Sequence, residues 1–402
     1  MRVDKLRVLK LYVFIFLCTL FVYFVSGWRN HTRHHFFIPL AEAFLQGRLY
    51  VDEMKPELHE MVPEREVRTG IYKKDDVSGK YFVIFPPLPA VILMPFVALW
   101  GAATNQSYVS IVLASVSVVA AYAVFRELVH DEKKSITLTL LYAFGSMLWY
   151  HAIIGSGWYF SQVCGLLFLW LALLATLKRQ SMALIGVLLG LAYLSRYPLL
   201  LTFPFFAYMT MDRWWQKRQV RLKPLLLLCV TFGIFVALSM GYNWLRYGKL
   251  GHYGYTVLER RPYNITNEYA HGSYSILYAP RVLSAMFLSM PKQNIHFPYL
   301  VPNQMSMALW VVFPVIVLVF FASLKERIVF ASWLAILLLL PTSLFHGGVG
   351  ATQFGFRYAL DYMPFLLMLI AYAIKDKFVW WQQLLFVLCI LINVWGVLFT
   401  GR

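Results

Sequence analysis

The chain has 402 residues, 60% of them hydrophobic and 14% charged. Soluble domains average about 45–50% apolar and about 25% charged residues, so an ordinary water-soluble enzyme is excluded. The net charge of +17 is not gathered into a stripe of Lys and Arg interleaved with stacking aromatics, which argues against a nucleic-acid partner.

A spanning helix needs about 20 predominantly apolar residues. In chain order the runs that qualify are roughly 11–27, 108–125, 135–152, 160–177, 223–244, 306–323, 328–345, 358–374 and 379–398. The first follows Arg2, Lys5, Arg7 and Lys10, and no small-residue cleavage site comes after it, so it reads as a retained anchor. The stretch 182–211 has room for two shorter helices, interrupted at Ser195-Arg196-Tyr197-Pro198. Proline removes a donor and disfavours helix in the residue before it, which predicts a hairpin with Arg196 at its apex. The run 82–100 is apolar but carries Pro86, Pro87, Pro89 and Pro95. The four cysteines, Cys18, Cys164, Cys229 and Cys389, all sit in apolar runs with no CxxC pair, so neither a disulfide framework nor a zinc site is expected.

Charge sets the orientation. The short segments 1–10, 126–134, 178–179, 212–223, 324–327 and 375–377 hold 18 Lys/Arg against 7 Asp/Glu, +11 of the total +17. The positive-inside rule places all six in the cytoplasm. This requires an even number of crossings between residues 10 and 126, so 82–100 does not cross. It becomes a re-entrant or juxtamembrane element, as broken backbone survives at membrane depth only when buried in protein. The competing arrangement makes 82–100 a twelfth span and reverses the charge bias at five later loops.

Two large segments then face the exterior: residues 28–81, with nine Lys/Arg and nine Asp/Glu, and residues 245–305, rich in Tyr and Gly with little acid. They are joined on that face by the short loops 153–159 and 346–357. In the first, Phe36, Phe37, Leu40, Ala43 and Phe44 recur at helical spacing before Gly47, predicting an amphipathic helix in the interface with Glu42 and Gln46 on its wetter side.

The order GRLYVD, then GKYFVIFPPLPA, then QFGFRYALDYMPF near the end resembles bacterial membrane proteins of the GT-C superfamily. These are similar to dolichyl-phosphate-mannose–protein mannosyltransferases and their polyprenyl-phosphate-sugar relatives. The resemblance implies an all-α polytopic membrane protein of GT-C type, in keeping with the single transmembrane domain over 1–402 and the about 11 transmembrane helices that the apolar runs and charge bias predict. It also implies sugar transfer from a polyprenyl-phosphate-linked donor to a lipid, glycan or protein acceptor at the outer face of a bacterial inner membrane. An acid in the first exterior loop would serve as base or metal ligand. The sequence departs from that pattern in one place. The Asp common just after the first span, about fourteen residues before the glycine matching Gly47, falls here at Arg33-His34.

Such chemistry needs a base for the acceptor proton and cations, or a divalent metal ion, for the phosphate leaving group. Asp52 is the first candidate for the base, following the helix stop, and Glu42 the second; each is equally read as a solvated surface carboxylate. Asp75 and Asp76 adjoin Lys73, Lys74 and Lys80 and read as a salt-bridge cluster. His34, with His31 and His35, would act as base or bind a divalent cation, or simply form an interfacial basic patch. For the donor phosphate the candidates are Arg196, Arg357, Tyr358 and Asp361. An unpaired charge at membrane depth costs at least about 2.5–3.5 kcal/mol, so Arg196 marks either a functional site or an ion pair. Arg357 and Asp361, at i and i+4, are expected on one helix face, as a mutual ion pair or as a phosphate clamp. Arg246 and Lys249 extend the basic rim. Two other functions remain: a secondary transporter or lipid-carrier flippase, though inverted repeats are not visible, and a catalytically inactive GT-C relative.

Overall fold

The computed structural model describes residues 2–28, 35–52, 61–69, 79–215, 222–261, 269–350 and 352–400. The chain is a helical membrane protein. In order, its α-helices are α1 (Arg2–Gly27), α2 (Phe37–Leu45), α3 (Glu64–Thr69), α4 (Leu88–Trp100), α5 (Gln106–Val129), α6 (Glu132–Phe144), α7 (Leu148–Ile154), α8 (Gly157–Leu177) and α9 (Met182–Ser195). They continue as α10 (Phe203–Trp215), α11 (Leu222–Tyr247), α12 (Tyr253–Glu259), α13 (Ala279–Phe287), α14 (Leu309–Val312), α15 (Arg327–Leu344), α16 (Met363–Ala373) and α17 (Trp380–Phe399). The sheet content among the described residues is two short antiparallel pairs, Val62–Pro63 with Tyr81–Phe82 and Lys292–Gln293 with Leu300–Val301.

Among the described residues six helices, α1, α5, α8, α11, α15 and α17, are each long and apolar enough to cross a membrane, and α6 with α7, bent by 48° at the break between them, meet the same criterion as a pair. The remaining expected spans are fragmented. Proline begins two of the breaks: Pro198 opens a 3-10 segment, Tyr197–Thr202, before α10, and Pro314 opens another, Pro314–Phe321, after α14. The run 358–374 is likewise a 3-10 segment, Arg357–Tyr362, leading into the eleven residues of α16. The hairpin expected at Arg196 is present. α9 stops at Ser195, Arg196 is extended (φ −150°, ψ 104°), and the returning arm brings the Thr210 hydroxyl 3.3 Å from Sδ of Met182 at the other arm's start.

Side-chain size explains how closely α9 and α11 lie. Gly186 and Gly190, one turn apart, face Thr231 and Phe235. A Cβ on Gly186 would stand 1.9 Å from the Thr231 hydroxyl, and one on Gly190 2.2 Å from the Phe235 ring. Small residues at this spacing let membrane helices approach backbone to backbone.

The basic segments collect at one end. Arg7 pairs with Glu132 (3.2 Å), Lys178 with Glu127 (3.8 Å), the Lys134 ammonium donates to the Lys375 carbonyl (2.6 Å), and Arg327 donates to the Tyr208 carbonyl (3.4 Å). These contacts join segments far apart in sequence, as shared sidedness requires.

At the opposite end lies a second, smaller core. Phe36, at the N-cap of α2, and Phe37, Leu40 and Ala41 within it bury against Phe85, and against Ala90, Leu93 and Val97 of α4. The expected amphipathic helix is therefore present with Glu42 exposed, but its apolar face is covered by protein rather than by lipid. The segment 82–100 resolves into an extended link and α4. Pro87 and Pro89 begin this helix and Gly101 (φ 53°) ends it. Its 13 residues reach roughly 20 Å, short of the ~30 Å hydrocarbon thickness.

Buried polar contacts fasten the two large loops to each other. Arg261 grips Glu66 through Nε (3.1 Å to Oε1) and Nη2 (2.9 Å to Oε2), and Nη2 also donates to the Met61 carbonyl at 2.9 Å. Arg246, at the end of α11, donates to the Val83 carbonyl (2.5 Å) and to Asn243 Oδ1 (2.9 Å), with its guanidinium over the Tyr242 and Tyr247 rings. Removing one partner of a buried ion pair costs about 3–5 kcal/mol, so these contacts hold the loops in a defined arrangement.

Candidate active site

Between the loops and the helix ends lies a cavity of about 480 Å³. Its walls come from the 84–86 link, the start of α8, the hairpin apex, the 249–259 segment, the 269–274 segment and the 342–358 turn. Cations contribute Arg196, Lys249 and Arg357; Glu259, His252 and His346 add titratable groups; Trp158, Tyr255, Tyr269, Tyr274 and Tyr358 supply aromatic surface.

Arg196 and Asp361 form the rigid back of the site. The guanidinium reaches both carboxylate oxygens, Nε at 3.0 Å from each and Nη2 at 2.9 Å from Oδ2. Gln162 of α8 adds a bond to Asp361 Oδ1 (3.2 Å) and another to the Arg357 carbonyl (3.0 Å). This corrects the expected Arg357–Asp361 pair. Residues at i and i+4 lie about 40° apart around an α-helix but about 120° apart in a 3-10 segment, and Arg357–Tyr362 is 3-10. Asp361 consequently turns toward the hairpin apex. Arg357 turns toward the cavity, its Nη2 3.2 Å from the Tyr358 hydroxyl and its Cζ 5.2 Å and 5.1 Å from the Trp158 and Tyr358 ring centres. The turn carrying it is held by Gln353, whose Oε1 accepts from the Arg357 backbone N–H at 3.2 Å. Gly350 (φ +90°) makes that turn possible: a Cβ there would lie 2.8 Å from Gln353 Oε1 and 3.0 Å from Arg357 Nε.

Glu259 is the last residue of α12, and its side chain is 6% exposed. Its Oε2 has no hydrogen-bond partner among the described residues, and Oε1 stands 3.8 Å from Nε2 of His346, beyond hydrogen-bond distance. Burial pushes the Glu259 carboxyl up to about 8. Burial, opposed by the Gly348 backbone contact and reinforced by Arg357, Arg196 and Arg281, takes the His346 imidazole down to about 4. His252, stacked 3.6 Å from the Tyr197 ring, is lowered to about 4 by burial and by Arg246. Both imidazoles are therefore neutral near pH 7 and add no charge to the cations of the wall.

Four of the sequence candidates, Arg196, Arg357, Tyr358 and Asp361, come together here. Asp52 and Glu42 do not line the cavity. Asp52 pairs with Arg48 and is 58% exposed, and Glu42 projects from the outer face of α2. His34 and His31 lie outside the described residues, as do Asp75 and Asp76. Among the described residues no group of three or more His, Cys, Asp or Glu side chains is placed to hold a metal ion. Glu259 and His346 were not singled out from sequence. Two signals point to them: residues 245–305 contain only two carboxylates, Glu259 and Glu268, and His346 directly follows the apolar run of α15.

No family model and no curated protein matches the chain. A solved structure does: ArnT from Cupriavidus metallidurans bound to undecaprenyl phosphate, with a TM-score of 0.53 at 14% identity. The chain therefore shares its overall fold with this ArnT. The match covers 91% of this chain and 60% of that one, so the chain spans about three-fifths of the length of its solved neighbour.

Proposed function

We propose that this protein is a membrane glycosyltransferase of GT-C type that takes a sugar from a polyprenyl-phosphate carrier and hands it to a lipid, glycan or protein acceptor. The site would face the periplasm or exterior of a bacterial inner membrane. The observation that carries the reading is the cavity: three cations and a wall of aromatic rings at the end of the molecule remote from its basic loops. In the GT-C fold, the neighbour that matches this chain is one that holds undecaprenyl phosphate.

Each part of the wall has a task in that reaction. Transfer from a phosphate builds negative charge on the departing oxygen, and cations fixed beforehand stabilise it without reorganising. Arg357 and Lys249 take that role. Arg196 is neutralised by Asp361 and keeps the apex in place, so its contribution is to positioning. Tyr358 keeps the Arg357 guanidinium against a ring, limiting its rotamers. The Trp158, Tyr255, Tyr269 and Tyr274 rings offer flat apolar faces of the kind that pack against the C–H face of a sugar, and the volume falls within the ~300–1,000 Å³ usual for ligand pockets.

The test uses purified protein in nanodiscs with a panel of radiolabelled undecaprenyl-phosphate sugars and a bacterial membrane lipid and glycan extract as acceptor. Label transfer by the wild type, with undecaprenyl phosphate binding lost in Arg357→Ala, is the expected result. Binding without any turnover would instead identify an inactive relative. Uptake of a solute into protein-loaded vesicles, without transfer, would identify a transporter.

A further inference from the structure

Glycosyl transfer from a phosphate-linked donor moves a single proton. The acceptor hydroxyl oxygen bonds to the anomeric carbon, the bond from that carbon to the phosphate oxygen breaks, and the phosphate departs with the electron pair. A phosphate leaving group is already a weak base and is stabilised by cations, so no acid need protonate it. The hydroxyl proton is what must be removed, and a positioned base contributes typically about 10²–10⁴-fold.

Where such a base can stand is limited by which carboxylates are already engaged. Asp361 accepts from Arg196 and Gln162, Glu66 from Arg261, and Asp52 from Arg48. Glu259 is the one carboxylate among the described residues of the cavity wall, and its buried Oε2 lacks a partner. Leaving a buried acceptor unsatisfied costs about 1–3 kcal/mol, a cost that a hydroxyl ligand donating to Oε2 would remove.

The position of Glu259 is built in from both loops. Val257 is buried, Tyr255 sets its ring edge-on to Phe85 at 6.2 Å, and Gly254 lies so close to Tyr247 that a Cβ would stand 2.5 Å from its hydroxyl. Two residues past Glu259, Arg261 is clamped to Glu66 of the first loop. We propose that Glu259 is the general base of the transfer, accepting the proton of a hydroxyl-bearing acceptor at Oε2, with His346 shielding Oε1. This inference rests on the transferase reading of the cavity.

The groups that face Glu259 and His346 are Tyr269 and Tyr274 from the 269–274 segment, Arg281 from α13, Arg357 and Tyr358 from the 3-10 turn and Arg196 from the hairpin apex; Tyr255 of α12 and, after α11, Lys249 and His252 line the same cavity wall. With the imidazole neutral, none of these carries a negative charge, and burial alone holds the carboxyl near 8. About one molecule in ten is then ionised at pH 7, and turnover climbs with pH until Glu259 is fully ionised.

The experiment measures label transfer and undecaprenyl phosphate binding, in nanodiscs, for the wild type, Glu259→Gln, Glu259→Asp and Asp52→Asn. Glu259→Gln should lose at least about 10²-fold in turnover with binding retained, and Glu259→Asp should recover part of it. The wild-type rate should rise through about pH 8, and the residual rate of Glu259→Gln should be flat over the same interval. Wild-type turnover in Glu259→Gln, or its collapse in Asp52→Asn alone, would overturn the assignment while leaving the transferase reading intact. Loss of phosphate binding in Glu259→Gln would show a structural role and overturn it as well. A wild type that transfers no label overturns both.

Discussion

The two large loops carry carboxylates of opposite character. In the first, Asp52 is exposed and paired with Arg48, and Glu42 points outward from a helix whose apolar face is buried. In the second, Glu259 is enclosed, has no hydrogen-bond partner at Oε2 among the described residues and lines the same cavity as Arg196, Lys249 and Arg357. A solvated, paired carboxylate gains little by accepting a proton, whereas a desolvated one at a cavity wall is poised to do so. The difference teaches that two carboxylate-bearing loops on one molecule can be told apart by solvation, where position along the chain does not separate them.

Substitutions sharpen this contrast in order of size. Arg357→Ala removes a cation from the wall and should cut transfer about 10²-fold or more, checked by initial rates of label transfer. Asp361→Asn leaves Arg196 without its counter-charge and should destabilise the protein by about 3–5 kcal/mol, seen as a lowered melting temperature and poor yield from detergent. Arg261→Met frees the second loop from Glu66; turnover should fall by roughly tenfold while undecaprenyl phosphate binding changes little, because Arg357 lies outside that loop and Lys249 sits next to the end of α11, away from the clamp.

The pH dependence of stability separates the loops too. Glu259 holds its proton more tightly folded than unfolded, so the folded state binds more protons between about pH 4.5 and 8, and stability falls as pH rises through that window. Glu259→Gln removes this penalty, so its melting temperature should gain on the wild type by several degrees between pH 5 and pH 9. Asp52→Asn, by contrast, breaks an exposed pair worth about 0–1 kcal/mol and should leave the same melting curves nearly superimposed.

Much of this was readable from residue types. An unpaired charge at membrane depth is costly, and that cost singles out Arg196, while Arg357 and Asp361 stand out through their i and i+4 spacing at the end of an apolar run. The proline at 198 announced the hairpin, and the basic segments that meet through Arg7–Glu132 and Lys134–Lys375 were grouped by their charge. The partner of Asp361 was not legible, because whether 357–362 winds as α or 3-10 depends on tertiary packing, and that choice rotates Asp361 about 80° relative to Arg357. Glu259 was obscured for a different reason. It lies in a loop of mixed polarity, where periodicity carries no information about burial, and only the fold of both loops around it excludes water.

The central claim is that the cavity between Arg357, Lys249 and Glu259 receives the lipid-linked phosphate. It is tested most directly by a cryo-EM structure of the nanodisc-embedded protein with undecaprenyl phosphate. The account predicts phosphate density within hydrogen-bond reach of Arg357 and on the Glu259 side of the Arg196–Asp361 pair. Phosphate density beside Arg48 and Asp52, with the cavity empty, would contradict it.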